Sequence, residues 1–136
     1  MMKSPNEIVA GMMQNDAFSQ WLGVEVLTVE KGYCMLKALV KNEMTNGFGI
    51  AHGGITYSLA DSCLAFASNS HGHQCVSIET TISHLKKVNV GDTLTASSEE
   101  ISRTRKIGLY AVKITNQNHE LVAHFRGTVH ISERVW

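Results

Sequence analysis

The chain has 136 residues, enough for one domain with a substantial core, and its twelve Lys and Arg balance twelve Asp and Glu. Zero net charge excludes a generic nucleic-acid binder, whose mark is a basic excess, while leaving room for a local basic patch around a phosphorylated ligand. Three cysteines (Cys34, Cys63, Cys75) in no CxxC pair argue against a disulfide framework, and neither a signal-peptide pattern nor an apolar run of spanning length is present, so the sequence predicts a cytoplasmic protein with no membrane or nucleic-acid partner.

Taken in chain order, Ile8, Val9, Met12 and Met13 recur at helical spacing and predict a short amphipathic helix over residues 5–18. Its polar face is not basic, which favours packing on the domain over lying on a membrane. From Val24 the pattern turns to strands. Glu30–Tyr33 (EKGY) reads as a turn, after which Cys34, Leu36, Ala38 and Val40 alternate onto one face. Asn46–Gly54 is a glycine-rich loop. An apolar helix follows from Gly53 or Gly54 to about Ser70, stopped by His71–His73 (HGH). Val76, Ile78, Thr80 and Ile82 then alternate against Ser77, Glu79, Thr81 and Ser83. Leu94 and Ala96 follow a VGD turn, then come Tyr110, Val112 and Ile114, and after NQNH come Leu121, Ala123, Phe125, Val129 and Ile131.

Period-two runs with one apolar face make an antiparallel sheet covered on one side. The central helix is the only sizeable element that can cover it. The predicted fold class is therefore α+β: a curved antiparallel sheet wrapped around one long helix, with a short N-terminal helix. No linker, repeat or low-complexity tract divides the chain, so residues 1–136 read as a single domain.

Within the central helix, Ile55, Leu59, Cys63 and Phe66 form one apolar face. Asp61, the only charged residue between Gly53 and Ser70, points elsewhere, beside Tyr57, Ser58, Leu64 and Ala65. A carboxylate in such surroundings costs free energy unless it is hydrogen-bonded or solvated, and burial raises its pKa toward the range of a general base. The bland alternative is that Asp61 bonds a nearby hydroxyl or faces water. At the helix start, His52-Gly53-Gly54 places two residues without side chains where N–H groups lack internal partners, a setting for an anion or the oxyanion of an attacked carbonyl. There the bland alternative is a tight loop-to-helix turn. Gly53 and Asp61 are eight residues apart, roughly 12 Å along a helix, too far for one helix to serve one carbonyl easily. Two antiparallel copies can bring Gly53 of one chain to Asp61 of the other, which predicts a site at a two-fold dimer interface.

The stretch NGFGIAHGGITYSLADSCLAFASNS, followed by GDTLTA (Gly91–Ala96) and FRGTVH (Phe125–His130), resembles the hotdog-fold acyl-CoA thioesterases, within them the phenylacetate-degradation (PaaI-type) branch. The resemblance covers nearly the whole chain. It implies a six-stranded sheet around a central helix, dimers or dimers of dimers, and hydrolysis of acyl-CoA thioesters, aryl-acetyl or hydroxyphenylacetyl ones among them. It implies no cofactor, coenzyme A being part of the substrate. Carried over by position, Asp61 is general base or nucleophile, the Gly53 N–H polarises the carbonyl, and Asn46 places the water or the carbonyl. His52 belongs to the motif with a less defined role. Many members carry an aspartate-aromatic-leucine-arginine-proline run after the helix. Here it reads SHLKKV (Ser83–Val88), which keeps a positive charge at Lys86 and loses the proline.

Around this core, Gly54, Phe48, Tyr57 and Ser62 are candidates to line the substrate, and Lys86, Arg103 and Arg105, with Lys87 and Lys106, to meet the phosphates of coenzyme A. Each of these cations taken singly also fits a solvated surface. His71, His73 and Cys75 at spacings of two are too few for a convincing zinc site, and no metal is predicted. His84, His124 and His130 read as strand-face residues, and Cys63 as packing. Two other functions remain open: a hotdog dehydratase acting on acyl thioesters, and an acyl-CoA-binding module without catalysis.

Overall fold

The computed structural model describes residues 2–136. Ser4 starts helix α1 (Pro5–Asn15) through a reciprocal cap. Its hydroxyl accepts from the Glu7 N–H at 3.2 Å, and the Glu7 carboxylate accepts from the Ser4 N–H at 3.0 Å. The helix expected over 5–18 does not run through. Asp16 ends α1 and begins α2 (Ala17–Leu22), its carboxylate accepting from the Ser19 N–H at 2.9 Å and the Ser19 hydroxyl at 2.6 Å. A short acidic side chain that captures a downstream N–H competes with helix continuation, and here the cap wins.

Six strands follow: β1 (Glu25–Glu30), β2 (Tyr33–Leu39), β3 (His73–His84), β4 (Thr93–Arg103), β5 (Ile107–Thr115) and β6 (Leu121–Val135). They form one antiparallel sheet in the order β1-β2-β4-β5-β6-β3. Helix α3 (Gly53–Asn69) lies between β2 and β3 in sequence and packs on the sheet. Its stripe of Ile55, Leu59, Cys63 and Phe66 is buried, together with Leu36, Leu94, Val112, Ile114 and Phe125 from the strands. Gly127 makes the close approach possible, since a Cβ there would lie 2.5 Å from Leu64 Cδ2. The sheet-around-one-helix architecture predicted from the alternation is the one observed.

Strand β3 departs from its expected pattern. Val76 and Ile78, predicted to share the core face with Thr80 and Ile82, are 66% and 59% exposed. The cause is a register shift between Ser77 and Glu79 in the pairing with β6. One extra residue reverses the alternation, so Cys75 is buried on one side of the shift and Ile82 packs against the core on the other, while Val76 and Ile78 face outward. Leu121, grouped by alternation with Ala123 and Phe125, is also exposed at the start of β6, where the pairing with β5 shifts. Among the described residues no helix is long and apolar enough to cross a membrane.

Candidate active site

The loop before α3 is held by its own polar groups. Asn46 Oδ1 accepts from the N–H groups of Phe48 (2.9 Å) and Ile50 (3.4 Å), and the Ala51 N–H donates to the Val88 carbonyl at 2.8 Å. The Asn46 Nδ2 group makes no hydrogen bond among the described residues. Phe48, at the loop tip, is 90% exposed.

His52 is the N-cap of α3, and its Nδ1 accepts from the Gly54 N–H at 2.8 Å. This spends the Gly54 donor and leaves Gly53, whose N–H has no acceptor among the described residues. Both glycines sit close under a histidine ring. A Cβ on Gly54 would lie 3.0 Å from His52 Nδ1, and one on Gly53 would lie 3.2 Å from His84 Nε2. Gly53 opens onto a cavity of about 310 Å³ lined by Asn46, Thr56, His84, Lys86 and Lys87 among others. An unpartnered N–H at the positive end of a seventeen-residue helix, facing a cavity, suits an anion or a polarised carbonyl.

Two turns further along, Asp61 is half-buried between two cavities. One is lined by Leu64, Ala65, Ser68, Cys75, Val76, Ser77 and Val129, the other by Asp16, Phe18, Ser19, Tyr57, Ser58 and Ser62. No described residue hydrogen-bonds the Asp61 carboxylate. The nearby hydroxyls that do pair look elsewhere: Ser62 Oγ meets Ser19 Oγ at 2.8 Å, and the Tyr57 hydroxyl meets that of Thr80. Burial pushes the Asp61 pKa up, and the negative charge of Asp16 adds to it. Tyr57 also stands edge-on to Phe125, ring centroids 5.5 Å apart. The Gly53 and Asp61 cavities share no lining residue. Within one chain the two groups are not brought together.

The basic residues divide. Lys86 lines the Gly53 cavity and is ion-paired with Glu120. Arg103 turns inward, its guanidinium donating to the Tyr110 hydroxyl at 2.9 Å and the Ser68 carbonyl at 3.1 Å. Tyr110 in turn donates to Glu100 at 2.6 Å, and burial, reinforced by Glu100, raises its pKa. Arg105 is exposed, 3.7 Å from Glu133, on a cleft it shares with His73, Arg103, Lys106 and His130. His71 is engaged by Glu100 at 2.6 Å rather than converging with His73 and Cys75.

Three residues at these sites were not singled out from the sequence. Asp16 faces Asp61 because the helix breaks there, a break that the Asp16–Ser19 cap spacing signals. Ser77 reaches the Asp61 cavity through the register shift in β3, for which a single sequence carries no mark. His84 reaches Gly53 from the far end of the same strand.

Residues 48–123 match the thioesterase superfamily. Over 119 residues the chain is 37% identical to acyl-coenzyme A thioesterase PaaI of Escherichia coli K12, covering 88% of this chain and 85% of that protein. The solved structure of E. coli PaaI superposes with a TM-score of 0.94 at 34% identity, covering 96% of this chain and 95% of that one. A Streptococcus mutans protein bound to acetyl CoA superposes with a TM-score of 0.80 at 27% identity, covering 83% and 91%.

Proposed function

The chain belongs to the thioesterase superfamily, and from that premise we propose that it is a cytoplasmic acyl-CoA thioesterase of the PaaI kind, hydrolysing aryl-acetyl or hydroxyphenylacetyl thioesters of coenzyme A. The observation that carries the reading is the pairing of an unpartnered helix-terminal N–H at Gly53 with an unpartnered, pKa-raised carboxylate at Asp61 on the same helix.

The two groups belong to one reaction if they come from different protomers. β3 is an edge strand, its outer face carrying exposed Val76 and Ile78. Antiparallel pairing of two such edges about their middles sets the Cys75–Ser77 end of one strand, beside Asp61, against the His84 end of the other, beside Gly53. Each dimer then holds two equivalent sites, and a dimer of dimers repeats them.

In such a site the Asp61 carboxylate takes a proton from a water molecule as the water oxygen attacks the thioester carbonyl carbon. The carbonyl pair moves onto oxygen, which accepts from the Gly53 N–H of the partner subunit. On collapse the C–S bond breaks, its pair goes to the coenzyme A sulfur, and the proton held by Asp61 returns to the products, leaving free acid and thiol. A raised pKa fits Asp61 to general-base work. The open Nδ2 of Asn46 suits the carbonyl or water, and Ser77 is placed to hydrogen-bond the water. His52 acts by holding the Gly54 N–H, so that Gly53 alone is offered. Gly54, Phe48, Tyr57 and Ser62 shape the acyl pocket, and Lys86 and Arg105 meet the coenzyme A phosphates, whereas Arg103, expected with them, is committed to Tyr110 and the Ser68 carbonyl.

The test is thiol release from acetyl-, hexanoyl-, palmitoyl-, benzoyl-, phenylacetyl- and hydroxyphenylacetyl-CoA by wild type and Asp61→Asn in parallel. We expect turnover by wild type, highest on aryl-acetyl substrates, and a kcat about 10²–10⁴ lower in the variant, the usual contribution of a positioned base. An Asp61→Asn variant with unchanged kcat would sink the mechanism, and a wild type inert on the whole panel would sink the activity.

A further inference from the structure

The cavity at the head of α3 holds one ring that this mechanism leaves unused. His84 ends β3 and lies over Gly53, where a Cβ would sit 3.2 Å from Nε2 and 3.4 Å from Cε1. The ring is oriented by its other nitrogen. Nδ1 is 3.3 Å from the hydroxyl of Thr56, which is itself 3.0 Å from the Gly53 carbonyl oxygen. Thr56 is buried in the first turn of α3. The turn that presents the open Gly53 N–H therefore also sets which nitrogen of His84 faces it.

A hydroxyl has one proton to donate. Donated to the Gly53 carbonyl, it leaves the Thr56 oxygen to accept from His84 Nδ1–H, and the neutral ring then turns an unprotonated Nε2 toward Gly53. Donated to Nδ1, it fixes the neutral ring in the tautomer with its proton on Nε2, the nitrogen at Gly53. An oxygen lodged against the Gly53 N–H then meets a second donor at the same place. The remaining polar side chains of the lining are Asn46, Thr56, Lys86 and Lys87, with no carboxylate among them, although Lys86 is paired with Glu120 outside the lining, so Lys87 is the cation left to meet negative charge growing there.

We propose that the Thr56 hydroxyl turns its proton from the Gly53 carbonyl to His84 Nδ1 when a thioester carbonyl oxygen occupies the cavity, and that His84 is then a second hydrogen-bond donor to that oxygen through Nε2–H, with Thr56 as the positioning residue that sets its tautomer. This rests on the thioesterase reading above. As water adds to the carbonyl carbon, the oxyanion accepts from both Gly53 N–H and His84 Nε2–H. As the C–S bond breaks, the pair re-forms the carbonyl, and His84 keeps its proton throughout. The contribution is to the transition state, because the oxyanion accepts more strongly than the ground-state carbonyl.

The experiment is kcat and KM on the best substrate for wild type, His84→Phe, His84→Gln, Thr56→Val and Thr56→Ser, with melting temperature as a check on folding. Removing one donor from an oxyanion site costs on the order of 10²–10³ in kcat in well-enclosed sites, and for this exposed ring we expect a loss of about 10- to 100-fold in His84→Phe with KM within about threefold. Glutamine, which keeps an N–H, should recover part of the loss. Thr56→Val should fall with His84→Phe, Thr56→Ser should hold near wild type, and the Thr56→Val/His84→Phe double variant should be no worse than His84→Phe alone. If the phenyl ring disturbs folding, His84→Leu carries the same comparison. A kcat in His84→Phe within twofold of wild type, or a loss confined to KM, overturns the inference while leaving the thioesterase standing. A wild type without turnover overturns both.

Discussion

Asp61 carries a conflict between stability and chemistry that can be measured. Burial, and then the charge of Asp16, hold its pKa above the 3.8 of an ordinary Asp. A carboxyl group whose folded pKa is raised favours folding in its protonated form. Its contribution is fully present below the unfolded pKa and is lost as pH rises through the folded value. At neutral pH the ionised group is therefore a cost to the fold, which Asn removes. We expect Asp61→Asn to melt at or above the wild-type temperature at pH 7, the gap closing below pH 3.8, while turnover is lost. A lower melting temperature at pH 7 would mean that Asp61 makes a favourable contact in the fold. With Asp61 as the proposed base, the same shift sets the acid limb of kcat/KM, since the base must be ionised in the free enzyme, and that limb should lie above 3.8. Asp16→Asn tests the second cause. Asn caps a helix about as well as Asp, so α2 should persist, and losing the charge should move the acid limb to lower pH. An unmoved limb would leave burial as the only cause.

At the scale of elements, the contact between α3 and the sheet depends on Gly127. Its missing Cβ would meet Leu64 Cδ2 at 2.5 Å and Phe125 Cε1 at 3.1 Å, both on buried side chains. Gly127→Ala should destabilise the protein by about 1–3 kcal/mol, the range for overpacking a filled core, read as a lower denaturant midpoint at constant m-value. An unchanged midpoint would show that Leu64 has another rotamer available. The same contact explains what the sequence discloses. α3, β2 and β5 bury one face along their whole length, so their apolar spacing maps directly onto the core. Asp61 and the Gly53-Gly54 pair were legible because each breaks the local pattern of one helix. β3 was misread because it lies at the edge of the sheet and carries a register shift. Half of its apolar residues face outward, and neither Ser77 nor His84 reveals by spacing that it closes a cavity formed by α3. The break at Asp16 was legible in the Asp-to-Ser cap spacing, but the apolar periodicity ran through it and masked it.

The whole molecule poses the sharpest question, because one chain keeps Gly53 and Asp61 in separate cavities roughly 12 Å apart along α3. The proposed pairing of two β3 edges would unite them across chains, and on that proposal Ile78→Lys, which puts a charge on that exposed edge, should yield a folded monomer without turnover, read by sedimentation and thiol release. Subunit mixing then tests the shared site itself. Asp61→Asn lacks the base, and Gly53→Val drives a side chain into the space His84 occupies 3.2 Å from its Cβ position, so each homodimer should be inactive. In a mixed dimer one site collects both lesions and the other collects neither, because the intact Asp61 and the intact Gly53 come from opposite chains. Random reassortment makes about half the dimers mixed, each with one of two sites whole, so equimolar variants unfolded and refolded together should recover about one quarter of wild-type activity. If each site were built within one chain, every site in the mixture would carry one lesion and no activity would return. Recovery near one quarter assigns the two groups to opposite subunits, whereas an inactive mixture that sedimentation and mass analysis show to contain mixed dimers would confine the chemistry to a single chain.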